Sequence, residues 1–334
     1  MTDLTTMYLG LTLHSPLVAS PGPVTGDPAM WRRLEAAGAG AIVLPSLFEE
    51  QVEHEAFAVE YAISTGADSN GEALSYLPSF DGVRVGPDHH LDLVEDAKAD
   101  VSIPVIASLN GVSPGGWVRY GKQLAEAGAD AIELNLYDTV TDPMTSAAEV
   151  ERRYMELIEE VKAEISVPLA VKIGSWFTAL AHTAKSFELA GADGIVLFNR
   201  LYQPDIDLDT LEVRPTLRLS SSDESRLSLH WIGVLREFVR GALAASSGVH
   251  TGADALKLLL AGADVVMVTS ALLRHGPEHL LEIRREMVTW MDERDYDGVR
   301  QLRGSVSRAN VPDPTVYDRA NYFQVLHSWV PSPR

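Results

Sequence analysis

Cysteine is absent from all 334 residues. That excludes disulfides, thiolate zinc sites, iron–sulfur ligation by this chain and any thiol nucleophile or base. Positive charge is scarce too: 27 Lys+Arg stand against 47 Asp+Glu, a formal net charge of −20, and no run of Lys/Arg interrupts the acidity. Such a chain repels phosphate backbones and anionic lipid, so no nucleic acid and no membrane surface is expected as a partner. Long apolar stretches are missing as well, since no window approaches the about 18 uninterrupted apolar residues of a membrane span. The opening Met1-Thr2-Asp3-Leu4 lacks the basic region of a secretory signal. A cytoplasmic protein without a metal site is the expectation.

What is present is a repeat. Leu34-Glu-Ala-Ala-Gly-Ala-Gly-Ala-Ile-Val-Leu44 recurs as Leu124-Ala-Glu-Ala-Gly-Ala-Asp-Ala-Ile-Glu-Leu134, as Phe187-Glu-Leu-Ala-Gly-Ala-Asp-Gly-Ile-Val-Leu197 and as Leu259-Leu-Ala-Gly-Ala-Asp-Val-Val-Met-Val268. Each copy reads as a helix end, a glycine stop (Gly38, Gly128, Gly191, Gly262) and a short apolar strand buried on both faces. Further apolar runs, Pro16–Ser20, Ile103–Leu109, Val167–Ile173 and Ala242–Ser246, bring the strands to eight. Helical patterns over Asp27–Ala37, Trp117–Ala127, Ala147–Glu164, Ala179–Ala190 and Ala253–Ala261 separate most of them. Alternating parallel units of this kind close into an α/β TIM (β/α)8 barrel. A doubly wound open sheet is the alternative, disfavoured because no Gly-x-Gly-x-x-Gly follows the first strand.

Uneven spacing locates long loops after the second strand (Leu44 to Pro104) and the sixth (Leu197 to Ala242), both on the face where barrel enzymes keep their sites. They are candidate lids or substrate walls. The barrel is expected over residues 1–285 and a helical extension over 286–334, with helices at Tyr296–Val306 and Thr315–Trp329. Tyr322, Phe323, Leu326 and Trp329 fall at helical spacing, as a face packed on the barrel or on a partner subunit would.

Side chains at the strand ends should meet at the mouth: Ser20, Ser46, Asn110, Asn135, Lys172, Asn199, Arg200, Ser247, Thr269 and Ser270. A single strand-end asparagine commonly caps a turn; the set is harder to explain so. Lys172 interrupts the apolar run Leu169–Ile173, where a buried cation needs an anionic partner. It serves either a salt bridge to Glu133 on the preceding strand or a developing anion such as an enolate, a phosphate or a reduced flavin. Ser247-Gly248 and Thr269-Ser270 follow the last two strands, where small residues let backbone N–H groups and a helix N-terminus approach phosphate.

With these residues in view, the chain resembles the dihydroorotate dehydrogenases, and more narrowly the dihydroorotate dehydrogenase-like proteins, over residues 8–285. The resemblance rests on Leu17-Val-Ala-Ser20, Ala131-Ile-Glu-Leu-Asn-Leu136, Pro168-Leu-Ala-Val-Lys-Ile173, Phe198-Asn199, Ser247-Gly-Val-His-Thr-Gly252 and Val268-Thr-Ser-Ala-Leu272. It implies FMN across the barrel mouth, with Ala19, Ser20 and Ser46 at the flavin and Asn110 and Asn135 on its polar edge or ribityl chain. Lys172 would sit beside N1 and the C2 oxygen, and Ser247, Gly248, Thr269 and Ser270 around the phosphate. Asn199 and Arg200 would face substrate. The implied reaction is dihydroorotate to orotate, a step of pyrimidine biosynthesis, in which a base takes a proton while hydride passes to flavin N5.

Departures accompany the matches. Tyr137-Asp138-Thr139-Val140 stands where the family has its base motif, which makes Asp138 the candidate base or else a turn residue. Pro45 replaces a lysine, the substrate loop reduces to Ser75-Tyr-Leu-Pro78, and Leu219-Ser-Ser-Ser-Asp223 replaces a glycine pair, leaving Arg226 and His230 as other anion contacts. Two alternatives therefore stand: a flavin-binding protein without dihydroorotate turnover, and a flavin-free lyase or isomerase using Lys172 as a Schiff-base amine. A soluble electron acceptor or redox partner is expected, and a homodimer would suit the aromatic tail.

Overall fold

The repeat folds the same way in all four copies, and its glycines show why. In the computed structural model, which describes residues 2–52, 87–115, 118–200, 203–319 and 321–328, Gly38, Gly128, Gly191 and Gly262 have φ of 93°, 105°, 116° and 128°. That left-handed backbone lets the next N–H fold back on the helix end. The N–H groups of Ala39, Ala129, Ala192 and Ala263 accordingly donate to the carbonyls of Leu34, Leu124, Phe187 and Leu258. Three copies then carry an aspartate whose carboxylate accepts an N–H from the first or second residue of the preceding strand: Asp130 from Val105, Asp193 from Leu169, Asp264 from Leu243. A cation from the preceding helix closes each clamp, Lys98 at 2.8 Å, Lys162 at 2.6 Å and Arg236 at 3.0 Å. The first copy has Gly40 instead, because a Cβ there would lie 2.0 Å from the Ser15 carbonyl oxygen.

An N-terminal hairpin, β1 (Thr6–Tyr8) and β2 (Leu11–Leu13), precedes the barrel strands. These are β3 (Leu17–Ala19), β4 (Ala41–Phe48), β5 (Val105–Asn110), β6 (Ala131–Leu136), β7 (Leu169–Ile173) and β8 (Gly194–Leu197). A second hairpin, β9 (Pro204–Asp207) and β10 (Glu212–Pro215), then precedes β11 (Ala242–Ala245) and β12 (Val265–Val268). The order β11-β12-β3-β4-β5-β6-β7-β8 is closed, and every pairing is parallel. Closure removes the open doubly wound sheet from consideration.

Helices expected between strands are found at Pro28–Ala36, Arg119–Glu126, Ala147–Glu164, Leu180–Leu189 and Gly252–Ala261. Asp27 and Ser146 cap two of them, accepting the N–H groups of Ala29 and Glu149. Trp117 lies outside the described residues.

The first hairpin stoppers the barrel. Tyr8, Leu9 and Leu13 pack among Val18, Ala41, Ala131, Ala170 and Ala244, whose small or short side chains leave the room. Gly194 completes the fit, since a Cβ there would come within 2.7 Å of the Leu9 side chain.

Of the two long loops, the one after β4 falls largely outside the described residues, including Ser75–Pro78. The one after β8 holds the second hairpin. The tail differs from its sequence pattern. Only Val299–Leu302 is helical within Tyr296–Val306, and a 3-10 turn at Pro314–Tyr317 precedes the helix Asn321–His327. Gly304, with φ of 73°, lies in left-handed backbone inside the first pattern, and Asp318, in extended backbone, breaks the second ahead of Asn321. Val299 and Leu302 join the main core cluster, whereas Tyr322, Phe323 and Leu326 are exposed rather than packed on the barrel. Trp329 lies outside the described residues.

Candidate functional site

Strand register stacks the site in layers. Across β5, β6, β7 and β8, Ser108, Glu133 and Ala170 lie at one level, and Asn110, Asn135, Lys172 and Val196 at the next. Because Ile106, Ala131, Ala170 and Val196 face the barrel interior, strand alternation turns Ser108, Glu133, Asn110, Asn135 and Lys172 inward with them. On β4 the register slips between Val43 and Ser46. Pro45, with no N–H for the ladder, occupies that irregularity. The slip sets Ser46 opposite Ser108, their hydroxyls 2.7 Å apart.

A cavity of about 680 Å³ opens above these layers. Ser20, Ser46, Asn110, Asn135, Lys172, Asn199, Arg200, Ser247, Gly248, Thr269 and Ser270 all line it. Ala19, fully buried within β3, does not. Neither does Asp138, whose carboxylate faces Arg153 at 3.6 Å. Tyr137 takes that place in the wall. Burial first, then the Asp138 charge, pushes the neighbouring Tyr154 phenol up to about 12. Arg226 and His230 are also outside the wall; His230 packs its ring against Tyr317.

The polar groups of the floor are wired together. Lys172 Nζ lies 3.3 Å from Glu133 Oε1, with side chains 8% and 1% exposed, so the salt bridge exists and its cation still reaches the cavity. The other Glu133 oxygen has no hydrogen-bond partner among the described residues. Asn199 Nδ2 donates to Asn135 Oδ1 at 2.8 Å, which leaves the Asn135 amide hydrogens for another acceptor. Arg200 donates to Glu224 at 2.8 Å and to the Arg218 carbonyl.

The opposite end is built by the β11 and β12 loops. Ser247 and Gly248 both have φ of 75°, and a Cβ on Gly248 would sit 2.3 Å from the Ser225 nitrogen, so only glycine fits against that helix start. The helix Gly252–Ala261 does not offer its N-terminus to the cavity. Thr251 caps it, and the Asp254 carboxylate accepts the N–H groups of His250 and Thr251 and the Ser222 hydroxyl. The helix Ser270–His275 instead begins in the wall.

Three further wall residues are Phe48, Leu217 and Ser220, of which only Ser220 lies in a segment, Leu219–Asp223, that the sequence singles out. The last two enter from the loop after β10, and no local signal marks where such a loop returns. Glu49, 8% exposed, was equally silent; it ties β4 to the β5 loop by accepting the Val112 N–H at 2.9 Å. Among the described residues no group of three or more His, Asp or Glu could hold a metal, and no helix is long and apolar enough to cross a membrane.

Comparison with known proteins meets this geometry. The family model described as dihydroorotate dehydrogenase matches residues 83–291, more than half of the chain and most of the barrel. The chain belongs to the dihydroorotate dehydrogenase family. Similar members include the dihydroorotate dehydrogenase B (NAD(+)) catalytic subunit of Thermoplasma acidophilum, 26% identical over 92% of this chain and 100% of the relative. The protein of the same description from Methanothermobacter thermautotrophicus is 26% identical over 90% and 97%. Dihydroorotate dehydrogenase A (fumarate) of Lactobacillus helveticus is 27% identical over 61% and 69%. Family members thus differ in the electron acceptor that their descriptions print, while the barrel is common ground.

Proposed function

We propose that this member of the dihydroorotate dehydrogenase family is an FMN-dependent oxidoreductase acting on dihydroorotate or a related dihydropyrimidine-like substrate. The observation that carries the reading is Lys172: a cation in the cavity wall, level with Asn110 and Asn135, inside a buried parallel strand.

The donor set fits FMN. An ammonium and two amides stand on the barrel floor, hydroxyls and a glycine turn stand at the β11–β12 end, and Phe198, Val249 and Met267 supply apolar wall between them. Polar groups gathered at the two ends of a cleft that also carries apolar wall suit a flat, amphipathic cofactor. Lys172, Asn110 and Asn135 would hold the ring's polar edge; Ser247, Gly248, Thr269 and Ser270 would hold the phosphate; Ser20 and Ser46 complete the wall. FMN, when bound, supplies a two-electron acceptor. Lys172 contributes a fixed positive charge where negative charge develops, pre-oriented by Glu133 so that it need not reorganise. Asn199, its carbonyl oxygen taken by the Arg200 N–H at 2.9 Å, keeps an amide hydrogen for substrate, and Arg200 adds a cation.

Proton removal is the step on which two readings divide. Asp138 would have to leave Arg153 to act as base, and Tyr137 rather than Asp138 lines the cavity. This favours, as a second reading, a flavin protein that does not turn over dihydroorotate itself. A Schiff-base lyase is disfavoured, since Glu133 ion-pairs the amine it would need. A small-molecule substrate, a soluble acceptor or redox partner, a cytoplasmic location and a homodimer all belong to the main reading.

The test is a visible spectrum of the purified protein before and after anaerobic L-dihydroorotate. Flavin absorbance that bleaches supports the main reading. Flavin that stays oxidised supports the second, and a colourless protein that refuses added FMN overturns both.

A further inference from the structure

We infer that the substrate end of this cavity takes an uncharged dihydropyrimidine-like ring and disfavours its carboxylate-bearing counterpart, because each cation in the wall is already matched by a glutamate. The inference rests on the FMN reading above and narrows its substrate class.

Among the described residues the wall holds two charged side chains, Lys172 and Arg200, and no carboxylate. Both charges are met before a ligand enters. Lys172 Nζ faces Glu133 at 3.3 Å. Arg200 forks onto Glu224, Nε reaching one carboxylate oxygen at 2.8 Å and Nη2 the other at 3.3 Å, while Nη1 donates to the Arg218 carbonyl. Glu224 is itself pinned, since it accepts the Ser221 N–H at 3.0 Å and so closes a capping box. A forked pair anchored to backbone opens for a second carboxylate only by leaving Glu224 without its cation. Arg226 and His230, the other candidate anion contacts, lie outside the wall. Pro45 supplies an apolar ring instead of a cation, and that ring is packed so close to Gly26 that a Cβ there would lie 2.9 Å from it.

Bound FMN adds its phosphate charge to a chain that already carries −20. A ligand carboxylate would therefore lose water without gaining a cation of its own, a cost that an uncharged ring avoids. What the same end offers is neutral and two-sided. Asn199 is oriented by its bonds to Asn135 and to the Arg200 N–H, and the Asn135 amide hydrogens are left for a ligand. Side-chain amides both donate and accept, as the N–H and C=O groups of a cyclic amide do. Phe48 and Leu217 add apolar wall. Oxidation of such a ring keeps the balance of the proposed reaction: adjacent ring carbons lose a hydride to bound FMN and a proton to solvent, and a C=C bond forms between them.

The experiment titrates the oxidised, FMN-loaded protein with uracil and with orotate at neutral pH and reads the perturbation of the flavin absorbance. These two rings differ by the carboxylate and lack the hydrogens that would reduce flavin. Uracil should bind at least about tenfold more tightly than orotate, the penalty expected for a carboxylate that loses water without a partner. Glu224→Gln, which frees the Arg200 charge and keeps an acceptor for Ser221, should tighten orotate about tenfold, as one hydrogen bond between charged groups is worth, and leave uracil within about twofold. Should that variant fail to fold, the comparison on the unaltered protein still decides. Orotate binding as tightly as uracil, an orotate constant that Glu224→Gln does not move, or failure of both rings to bind the flavin-loaded protein would overturn the inference while the FMN reading survives. A protein that refuses FMN would overturn that reading and the inference with it.

Discussion

Lys172 and Glu133 cannot be removed singly without cost, because each leaves the other's charge buried. Breaking a buried pair in this way costs about 3–5 kcal/mol. Lys172→Ala should therefore lower stability as well as flavin retention, and folding loss alone says nothing about chemistry. The double variant Lys172→Met with Glu133→Gln removes both charges. In urea titration it should recover most of the lost stability, while anaerobic flavin reduction stays impaired; recovery of both would show that the cation serves only the barrel. Asp138→Asn should leave flavin reduction at saturating substrate within about twofold, since its carboxylate faces Arg153 outside the wall. A fall of a hundredfold in stopped-flow rate would return Asp138 to the reaction. Much at this scale was legible beforehand. Strand-end position alone brought Asn110, Asn135, Lys172 and Thr269 to one cavity, because barrel geometry fixes where a strand end points. The placement of Asp138 and Ser220 was not legible, because side chains in loops are placed by partners distant in sequence, Arg153 for one and His250 for the other.

The aspartate clamps differ in burial, and that difference predicts their energies. Asp264 is 4% exposed and holds the Leu243 N–H, Arg236 and Arg303, whereas the Asp193 side chain is 41% exposed. Asp264→Ala should cost about 3 kcal/mol or more by stranding two arginines, and Asp193→Ala about 1 kcal/mol; equal shifts in chemical denaturation would refute the burial argument. Gly194→Ala presses on Leu9 and Ala242 and should destabilise by about 1–3 kcal/mol through overpacking. A melting temperature unchanged by that substitution would mean that the hairpin yields. All eight barrel strands could be read from apolar runs and glycine stops, which are local signals. The hairpins could not. β9 and β10 carry exposed Ile206 and Val213, and β1 and β2 are too short for a period to show. The tail helices failed for another local reason, breaks inside the patterns at Gly304, with left-handed backbone, and at Asp318, with extended backbone.

At the scale of the molecule, the carboxylate excess makes acid the sensitive direction. Glu35 and Glu188 are held below their ordinary value: burial works the other way, but the Ser102 hydroxyl and N–H outweigh it for Glu35, and Lys185 with the Gly241 and Arg240 N–H groups for Glu188. A group depressed in the folded state stabilises above its unfolded pKa and loses that contribution as pH falls through the folded one. The thermal midpoint should thus decline as pH is taken from about 5 to about 3, and Glu188→Gln should flatten the decline; an unaltered slope would show that general charge, not this contact, governs it. The closed order of eight strands followed from the sequence repeat, and its consequences reach beyond equilibrium.

The stopper made by Tyr8, Leu9 and Leu13 leaves the ribosome ahead of the barrel strands, yet the glycine that receives it, Gly194, is synthesised much later, and β3 cannot pair with β12 until Val265–Val268 has emerged. A nascent chain must therefore carry an apolar hairpin without its socket until Gly194 and then Val265–Val268 have been made. Ribosome-bound chains halted before Val265 should remain open to protease along their length, and resistance should arrive late and all at once.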